Sequence, residues 1–245
     1  MNWKKAIIIA LDIAIGAYLV LAVTAFNKPD DGSMVCNEVR ISIEKTDLEG
    51  FLKQDDVRQL LRQKNLYPLG QPMGHVSARQ IEEMLRSNAL IEHAECYKTQ
   101  TGHVCIDIRQ RVPVVRVMAD NGSDYYVDSN GEIMPRAQYT CNVIVATGHI
   151  SQSYAKKHLA KLANTIMADN FWKNQVVQLN VLGDGSVEIV PRVGEHIAYI
   201  GQPKGVERKL ERLLKFYRYG LNEAGWNKYG RISVEFDNQI ICKRK

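Results

Sequence analysis

An apolar run near the start of the chain is the feature that most constrains how this sequence can fold. Residues 6–26 are apolar almost without interruption, and a helix needs about 20 apolar residues to cross the hydrocarbon core of a bilayer. The sequence therefore predicts one membrane-spanning helix over residues 6–26. The alternative is a cleaved signal peptide with residues 23–25 at the cleavage site, but the run exceeds the usual apolar region of about 7 to 15 residues.

Charges on either side of the run indicate its orientation. Lys4 and Lys5 precede the run, whereas Asp30 and Asp31 follow it. Lysine and arginine concentrate on the cytoplasmic side of membrane helices. We therefore expect residues 1–5 to form a cytoplasmic start and everything after residue 26 to lie on the far side of the membrane.

Asp12 is an unusual residue inside such a run, and Gly16 lies about one helical turn beyond it. A carboxylate at the centre of a bilayer costs about 2.5 to 3.5 kcal/mol on insertion scales. Two explanations stay open. Asp12 either reaches the nearby membrane surface or takes up a proton, or it contacts another membrane helix through the face that carries Asp12 and Gly16.

The composition of the whole chain is that of an ordinary globular protein. Of its 245 residues, 45% are apolar and 24% are charged, which excludes collagen-like and intrinsically disordered chains. The length leaves room for two domains. Because the net charge of +5 is spread without a dense basic block, we predict no nucleic-acid partner.

Residues 35–111 predict a first domain with the order strand, helix, helix, strand, strand. Apolar and polar residues alternate over residues 39–44, as in a half-buried strand. Two acidic residues open a first helix after residue 54, and Ser77 with Gln80 forms a capping box for a second helix. The phase of that second helix turns Met84 and Leu85 toward the sheet. Residues 91–98 and 103–109 predict a hairpin.

Residues 112–245 predict a strand-rich second domain with two long helices, so the fold class of the exported part is α+β. Apolar stripes at helical spacing mark the helices over residues 155–166 and 206–221. An Asn130-Gly131 pair indicates a tight turn between two strands. The predicted strands cover residues 114–118, 125–127, 133, 143–145, 176–181, 187–190, 197–200, 232–236 and 239–243.

The five cysteines follow the apolar run, and no two have the spacing of a zinc site or a redox pair. Cys96 and Cys105 flank the predicted hairpin turn, but the alternation pattern places them on opposite faces of the sheet. We therefore predict free thiols.

Residues that could carry out catalysis are scattered along the chain. Ser153 and Lys156 match an S-x-x-K motif, but neither an S-x-N nor a K-T-G element follows. The histidines have no metal-binding spacing, and the carboxylates form no acid–base pair. We therefore predict a protein that is not an enzyme, with no catalytic residue, metal site, cofactor or small-molecule substrate.

The order of elements resembles the FtsQ/DivIB family of bacterial cell-division proteins, in the variant found in Bacteroides-type bacteria. The resemblance extends over nearly the full chain and is cumulative, because none of its motifs is a catalytic fingerprint. The stretches that carry it are residues 88–91, 110–116, 125–131, 171–175, 220–221, 225–226 and 238–243.

The resemblance implies a POTRA domain over residues 35–111 and an FtsQ-type beta domain over residues 112–245. It also implies a non-enzymatic, membrane-anchored scaffold of the divisome at the division septum. Such a scaffold crosses the inner membrane once, binds FtsB-like and FtsL-like proteins in the periplasm, and links early and late septum assembly.

In the family, a strand of the partner adds to the last strand at a sheet edge. Strand addition is a common recognition mode because an edge strand has unpaired backbone groups. The matching partner-binding positions are Phe236 on the preceding strand, Gln239, Ile240, Ile241, Cys242 and Lys243.

Alternatives remain for this segment and for the whole chain. The last residues could pair only within the domain, with Lys243, Arg244 and Lys245 protecting the edge. The chain could also be a single-pass POTRA protein of envelope secretion or outer-membrane assembly, or an anchored cell-wall enzyme.

Overall fold

The computed structural model describes residues 3–26, 34–44, 52–136 and 141–245. The first range forms a single helix, α1 (Trp3–Phe26). Across these four ranges, none of the helices combines the length and the apolar character that a membrane crossing requires. The predicted span over residues 6–26 is therefore not confirmed.

The described residues between 34 and 110 form the first domain, in the predicted element order. Its elements are β1 (Glu38–Ile43), α2 (Gln54–Gln63), α3 (Ala78–Arg86), β2 (Ile91–Lys98) and β3 (His103–Gln110). The sheet order is β1-β3-β2, with β1 parallel and β2 antiparallel to the central β3. Both helices contribute buried residues to a core on one face of this sheet.

Helix α3 begins where the capping signal predicts. The Ser77 hydroxyl oxygen accepts a hydrogen bond from the Gln80 N–H at 3.3 Å, which satisfies one of the free donors of the first turn. Leu85 is fully buried and Met84 packs against the same core. The predicted phase of the helix is confirmed.

The second domain is one nine-stranded sheet with helices packed on one face. Its order is β12-β11-β10-β9-β8-β7-β4-β5-β6. The first elements are β4 (Pro113–Ala119), β5 (Asp124–Asp128), β6 (Ile133–Pro135), β7 (Ile144–Gly148), α4 (Gln152–Tyr154), a π-helical turn (Ala155–Leu159), α5 (Ala160–Ala168), α6 (Asn170–Gln175) and β8 (Val176–Val181). The rest are β9 (Val187–Pro191), β10 (Ile197–Gly201), α7 (Val206–Lys215), a second π-helical turn (Phe216–Leu221), α8 (Asn222–Ala224), β11 (Tyr229–Ser233) and β12 (Ile241–Arg244).

Helices α5, α6 and α7 cover the apolar face of this sheet, and Trp172 on α6 is among the largest fully buried side chains. Strand β11 runs parallel to β10, and α7 connects the two. The opposite face, called the outer face below, carries Asn180, Glu188 and Tyr199 at aligned positions of β8, β9 and β10.

The predicted turn at Asn130-Gly131 lies between β5 and β6 and needs its glycine. Gly131 has a φ of +84°, and a Cβ there would lie 2.6 Å from the carbonyl oxygen of Lys156. That approach is too close for any side chain, so the turn packs directly against the helical segment over residues 155–159.

The last two strands and one helix differ most from the sequence predictions. Strand β11 ends at Ser233 rather than at residue 236, and β12 begins at Ile241 rather than at residue 239. Helix α6 was not predicted; it forms because the Asp169 carboxylate accepts hydrogen bonds from the N–H groups of Phe171 and Trp172.

The cysteine prediction is confirmed for the pair in the first domain. Cys96 pairs in register with Ile106 and belongs to the core, whereas Cys105 pairs with Tyr97 on the other face. All five cysteines are free, and burial raises the thiol pKa of Cys96 to about 12.

Candidate partner-binding edge

Strand β12 lies at one end of the nine-stranded sheet. It pairs with β11 in antiparallel register, with Ser233 opposite Ile241 and Ile232 opposite Cys242. In the described part of the chain no strand pairs with its other side. Its outward backbone N–H and C=O groups are therefore available to a further strand.

The side chains of β12 alternate between the two faces of the sheet. Cys242 lies on the same face as the fully buried Ile232 and packs against the core. Ile241 and Lys243 lie on the outer face, and Ile241 is 49% exposed. An added strand would thus meet an apolar side chain and a cation on the outer face.

A row of hydrogen-bonded polar side chains stiffens the outer face beside this edge. Arg231 on β11 forms an ion pair with Glu188 at 2.7 Å, and its guanidinium stacks 4.5 Å from the ring centroid of Tyr199. Glu188 also accepts a hydrogen bond from Asn180 at 3.0 Å. Because these contacts cross strands β8 to β11, they hold the strand next to β12 in a fixed position.

Positive charge is concentrated at the end of β12. Lys243, Arg244 and Lys245 follow one another, and only Lys245 has an ion pair among the described residues, with Glu195. The charges of Lys243 and Arg244 therefore disfavour pairing with a second copy of this edge and would favour an acidic segment beside it.

The loop between β11 and β12 departs from strand geometry because a helix side chain takes two of its carbonyl groups. The Arg212 guanidinium on α7 donates to the carbonyl oxygen of Val234 at 2.7 Å and to that of Asp237 at 2.6 Å. These acceptors are then oriented toward the helix and not toward a neighbouring strand. Phe236 therefore lies in the loop, half exposed, and not on a strand as predicted.

An aromatic cluster underlies the edge. His196 is buried, its Nε2 lies 2.6 Å from the hydroxyl oxygen of Tyr217, and its ring packs near that of Trp226. Burial, and next the nearby charge of Lys245, hold the pKa of His196 below its ordinary value. The histidine is therefore neutral near neutral pH and acts as part of the packing.

The structure brings together most of the predicted partner-binding positions. Ile241, Cys242 and Lys243 lie on β12, while Gln239 and Ile240 precede it in the loop, where Ile240 packs against the core. The sequence interpretation missed Arg212 and Arg231. No local pattern identifies either residue, because their contacts join segments that are far apart in the chain.

The two predicted membrane-contact residues lie apart from the edge, on α1. Asp12 and Gly16 are both exposed, and a Cβ at Gly16 would meet nothing within 4 Å. The face that they share is therefore open. In the described ranges no group of three or more histidine, cysteine or acidic side chains is arranged to hold a metal ion.

Two family models match the chain. The model described as "FtsQ/DivIB, C-terminal related" matches residues 112–243, which is more than half of the 245 residues. The model described as "POTRA-like domain" matches residues 34–109. No curated protein matches the chain. The two matched ranges coincide closely with the two sheets described above.

Proposed function

The chain belongs to the FtsQ/DivIB C-terminal related family, with a POTRA-like domain preceding the family domain, and on this premise we propose that it is a non-enzymatic scaffold of bacterial cell division. Its β12 edge binds a strand of another divisome protein of the FtsB or FtsL kind, in the periplasm. Through that contact it links early and late assembly of the septum.

The observation that carries this proposal is the open side of β12. The strand is ordered by its pairing with β11, yet its other backbone edge has no neighbour among the described residues. Main-chain hydrogen bonds supply affinity in strand addition, and alternate side chains supply specificity. Ile241 and Lys243 on the outer face are the side chains that an added strand contacts.

We further propose that residues 6–26 anchor the protein in the inner membrane as a single span, with residues 1–5 in the cytoplasm. The apolar run and its flanking charges support this part of the proposal. The open face with Asp12 and Gly16 then offers a contact to another membrane helix.

Proline at position 241 tests the docking edge. Ile241→Pro fixes φ and removes the N–H that the register places toward Ser233 of β11. Strand β12 should then lose its pairing, and binding of FtsB-like and FtsL-like segments should weaken about tenfold or more. Ile241→Val keeps the backbone and most of the apolar volume and should bind within about twofold of the parent. Calorimetry on the detergent-solubilised full chain measures both affinities.

Circular dichroism must first establish that the proline variant is folded. A folded Ile241→Pro chain that binds as tightly as the parent would contradict docking at β12. Imaging a fluorescent fusion in growing cells tests the wider role, because a division scaffold gives a midcell band. A uniform envelope signal would contradict that role.

A further inference from the structure

The loop over residues 234–240 connects β11 to β12. Its first residue, Val234, still donates its N–H to the carbonyl oxygen of Tyr199 on β10 at 2.9 Å, but none of its residues takes part in the pairing of β11 with β12. Flexible loops leave the strands that they join free to shift, and β12 is only four residues long. Something outside the two strands must therefore fix the loop if β12 is to hold a constant register. Arg212 on α7 contacts this loop at two places, Val234 and Asp237.

Arg212 is well placed for this role. Its two terminal nitrogens reach the carbonyl oxygens of Val234 and Asp237, three residues apart in the loop, and its side chain is only 19% exposed. The Asp237 carboxylate lies farther away, at 3.4 Å, and is 81% exposed. The planar guanidinium thus acts mainly on the main chain, as a charged fork that bridges two carbonyl groups.

The helix that carries Arg212 is itself fixed to the sheet. One turn earlier, the buried Lys209 ammonium donates to the carbonyl oxygens of Ile200 at 2.7 Å and Gln202 at 2.9 Å, at the end of β10. Lys209 and Arg212 therefore attach α7 to the ends of two neighbouring strands. Any shift of the loop relative to the sheet must break one of these contacts.

We infer that Arg212 is the positioning residue of the docking edge: it fixes the loop between β11 and β12 and thereby sets how β12 is presented to an added strand. The inference rests on the proposed function for its binding consequence. Its structural part, the position of β12, can be measured without a partner.

Cys242 is a native reporter of that position, and Cys141 is its internal control. Both thiols are partly buried and free, but Cys242 lies on β12 whereas Cys141 lies near the opposite edge of the sheet. In Arg212→Ala, maleimide alkylation of Cys242 should become about tenfold faster while that of Cys141 stays unchanged. The same variant should bind an FtsB-like segment about tenfold more weakly in calorimetry.

Two further variants separate geometry from charge and from general helix effects. Arg212→Lys keeps the charge but has no planar fork, so it should show most of the loss. Lys215→Ala, on the same helix, removes an exposed pair with Glu211 and should leave both readouts within about twofold of the parent.

The inference is overturned if Cys242 reacts no faster in Arg212→Ala, or if both thiols accelerate together, because the change would then be global. It is also overturned if Cys242 accelerates while the affinity stays the same, or if Arg212→Lys restores both readouts fully. A parent chain that does not bind the segment at all refutes the proposed function instead. The Cys242 rates still decide whether Arg212 positions β12.

Discussion

Each end of the nine-stranded sheet has an edge strand with unpaired backbone groups. One of the two edges is covered, and the other is open. At one end, β6 is a three-residue strand whose Met134 is fully buried and packs with Tyr126 and Leu90. Pro135 has no N–H to offer, and Leu90 comes from the first domain. At the other end, β12 is ordered but uncovered, with Ile241 half exposed on its outer face.

This difference shows which edge is available for binding. A free edge invites unwanted pairing, and proteins usually cover it, shorten it or place proline and charge on it. The β6 edge uses covering, shortness and proline together. The β12 edge is also short, but it is uncovered and has no proline. Its remaining protection is charge, from Lys243 and Arg244, which deters another copy of this edge but not an acidic segment. The closed edge therefore supports the architecture, and the open edge is the one that the proposed recognition uses.

The strongest test of the comparison places the same charge at both edges. Met134→Asp buries an unpaired carboxylate and should lower the free energy of unfolding by about 3 to 5 kcal/mol. Ile241→Asp leaves its carboxylate in water and should change it by about 0.5 kcal/mol or less. Equilibrium urea unfolding measures both values. Equal losses at the two positions would contradict the distinction between a closed and an open edge.

A somewhat smaller loss in the free energy of unfolding is expected from a substitution where the first domain joins the closed edge. The buried Asp128 carboxylate accepts hydrogen bonds from the Arg111 guanidinium at 2.7 Å and from the N–H groups of Asn130 at 2.9 Å and Glu132 at 2.7 Å. Asp128→Ala leaves these donors unpaired and should cost about 2 to 4 kcal/mol in urea unfolding.

A matched control for Asp128 lies in the same neighbourhood. Lys156→Ala removes an exposed ion pair with Glu132, whose atoms are 3.3 Å apart, and should cost less than about 1 kcal/mol. If the two variants unfold at the same urea concentration, the buried junction does not stabilise the closed edge as described.

A smaller difference in stability between the β12 end and the β6 end of the sheet is expected when the pH is lowered. The folded-state pKa of His196 is lowered, so the unfolded chain binds a proton more readily than the folded chain. Stability from this residue is complete above the ordinary histidine pKa of about 6.5 and declines as the pH falls below it. Amide protection factors, which correct for the intrinsic pH dependence of exchange, should therefore fall at β12 before they fall at β6 on acidification.

His196→Phe is the control for that pH effect. Phenylalanine cannot titrate, so the slope of stability against pH below about 6.5 should flatten, although the Tyr217 hydroxyl loses its partner. An unchanged slope would assign the acid sensitivity to other groups.

The smallest effect on either edge is expected from α1. Asp12→Ala should leave the unfolding of the sheet unchanged and should raise membrane insertion more than it weakens recruitment to the septum. Membrane fractionation and imaging of the fusion measure the two quantities. Normal insertion with a strong loss of septal signal would instead make Asp12 a partner contact.

Local sequence patterns predicted the elements well wherever a strand or helix is specified by its own residues. The first domain follows its alternation and its Ser77 cap, and the strand over 176–181 has the bounds that its pattern indicates. Helix α6 was not predicted, although the sequence has a local signal for it. Asp169 is an ordinary N-cap residue two positions before the aromatic pair.

The sequence predicted where in the chain the candidate site lies, but it did not predict the strand bounds or the contacts that shape the site. Val234 and Phe236 continue the alternation of β11, so the pattern extends the strand through residue 236. The strand in fact ends early because Arg212, which is 22 residues from Val234 in the sequence, takes its carbonyl oxygen. Which edge of the sheet is covered depends likewise on Leu90 of the other domain, and neither contact has a local signature.

The parallel pairing of β10 with β11 has a consequence for the order of events during folding. Parallel neighbours cannot be joined by a tight turn, and here the crossover through α7 must close before β11 can pair with β10. Contacts that close long loops form late. Strand β12 joins the sheet only through β11, so we expect the proposed docking edge to be among the last parts to join it. If β12 is the docking edge, as proposed, a partly folded chain would not present it, and binding of a partner would wait until the sheet is complete.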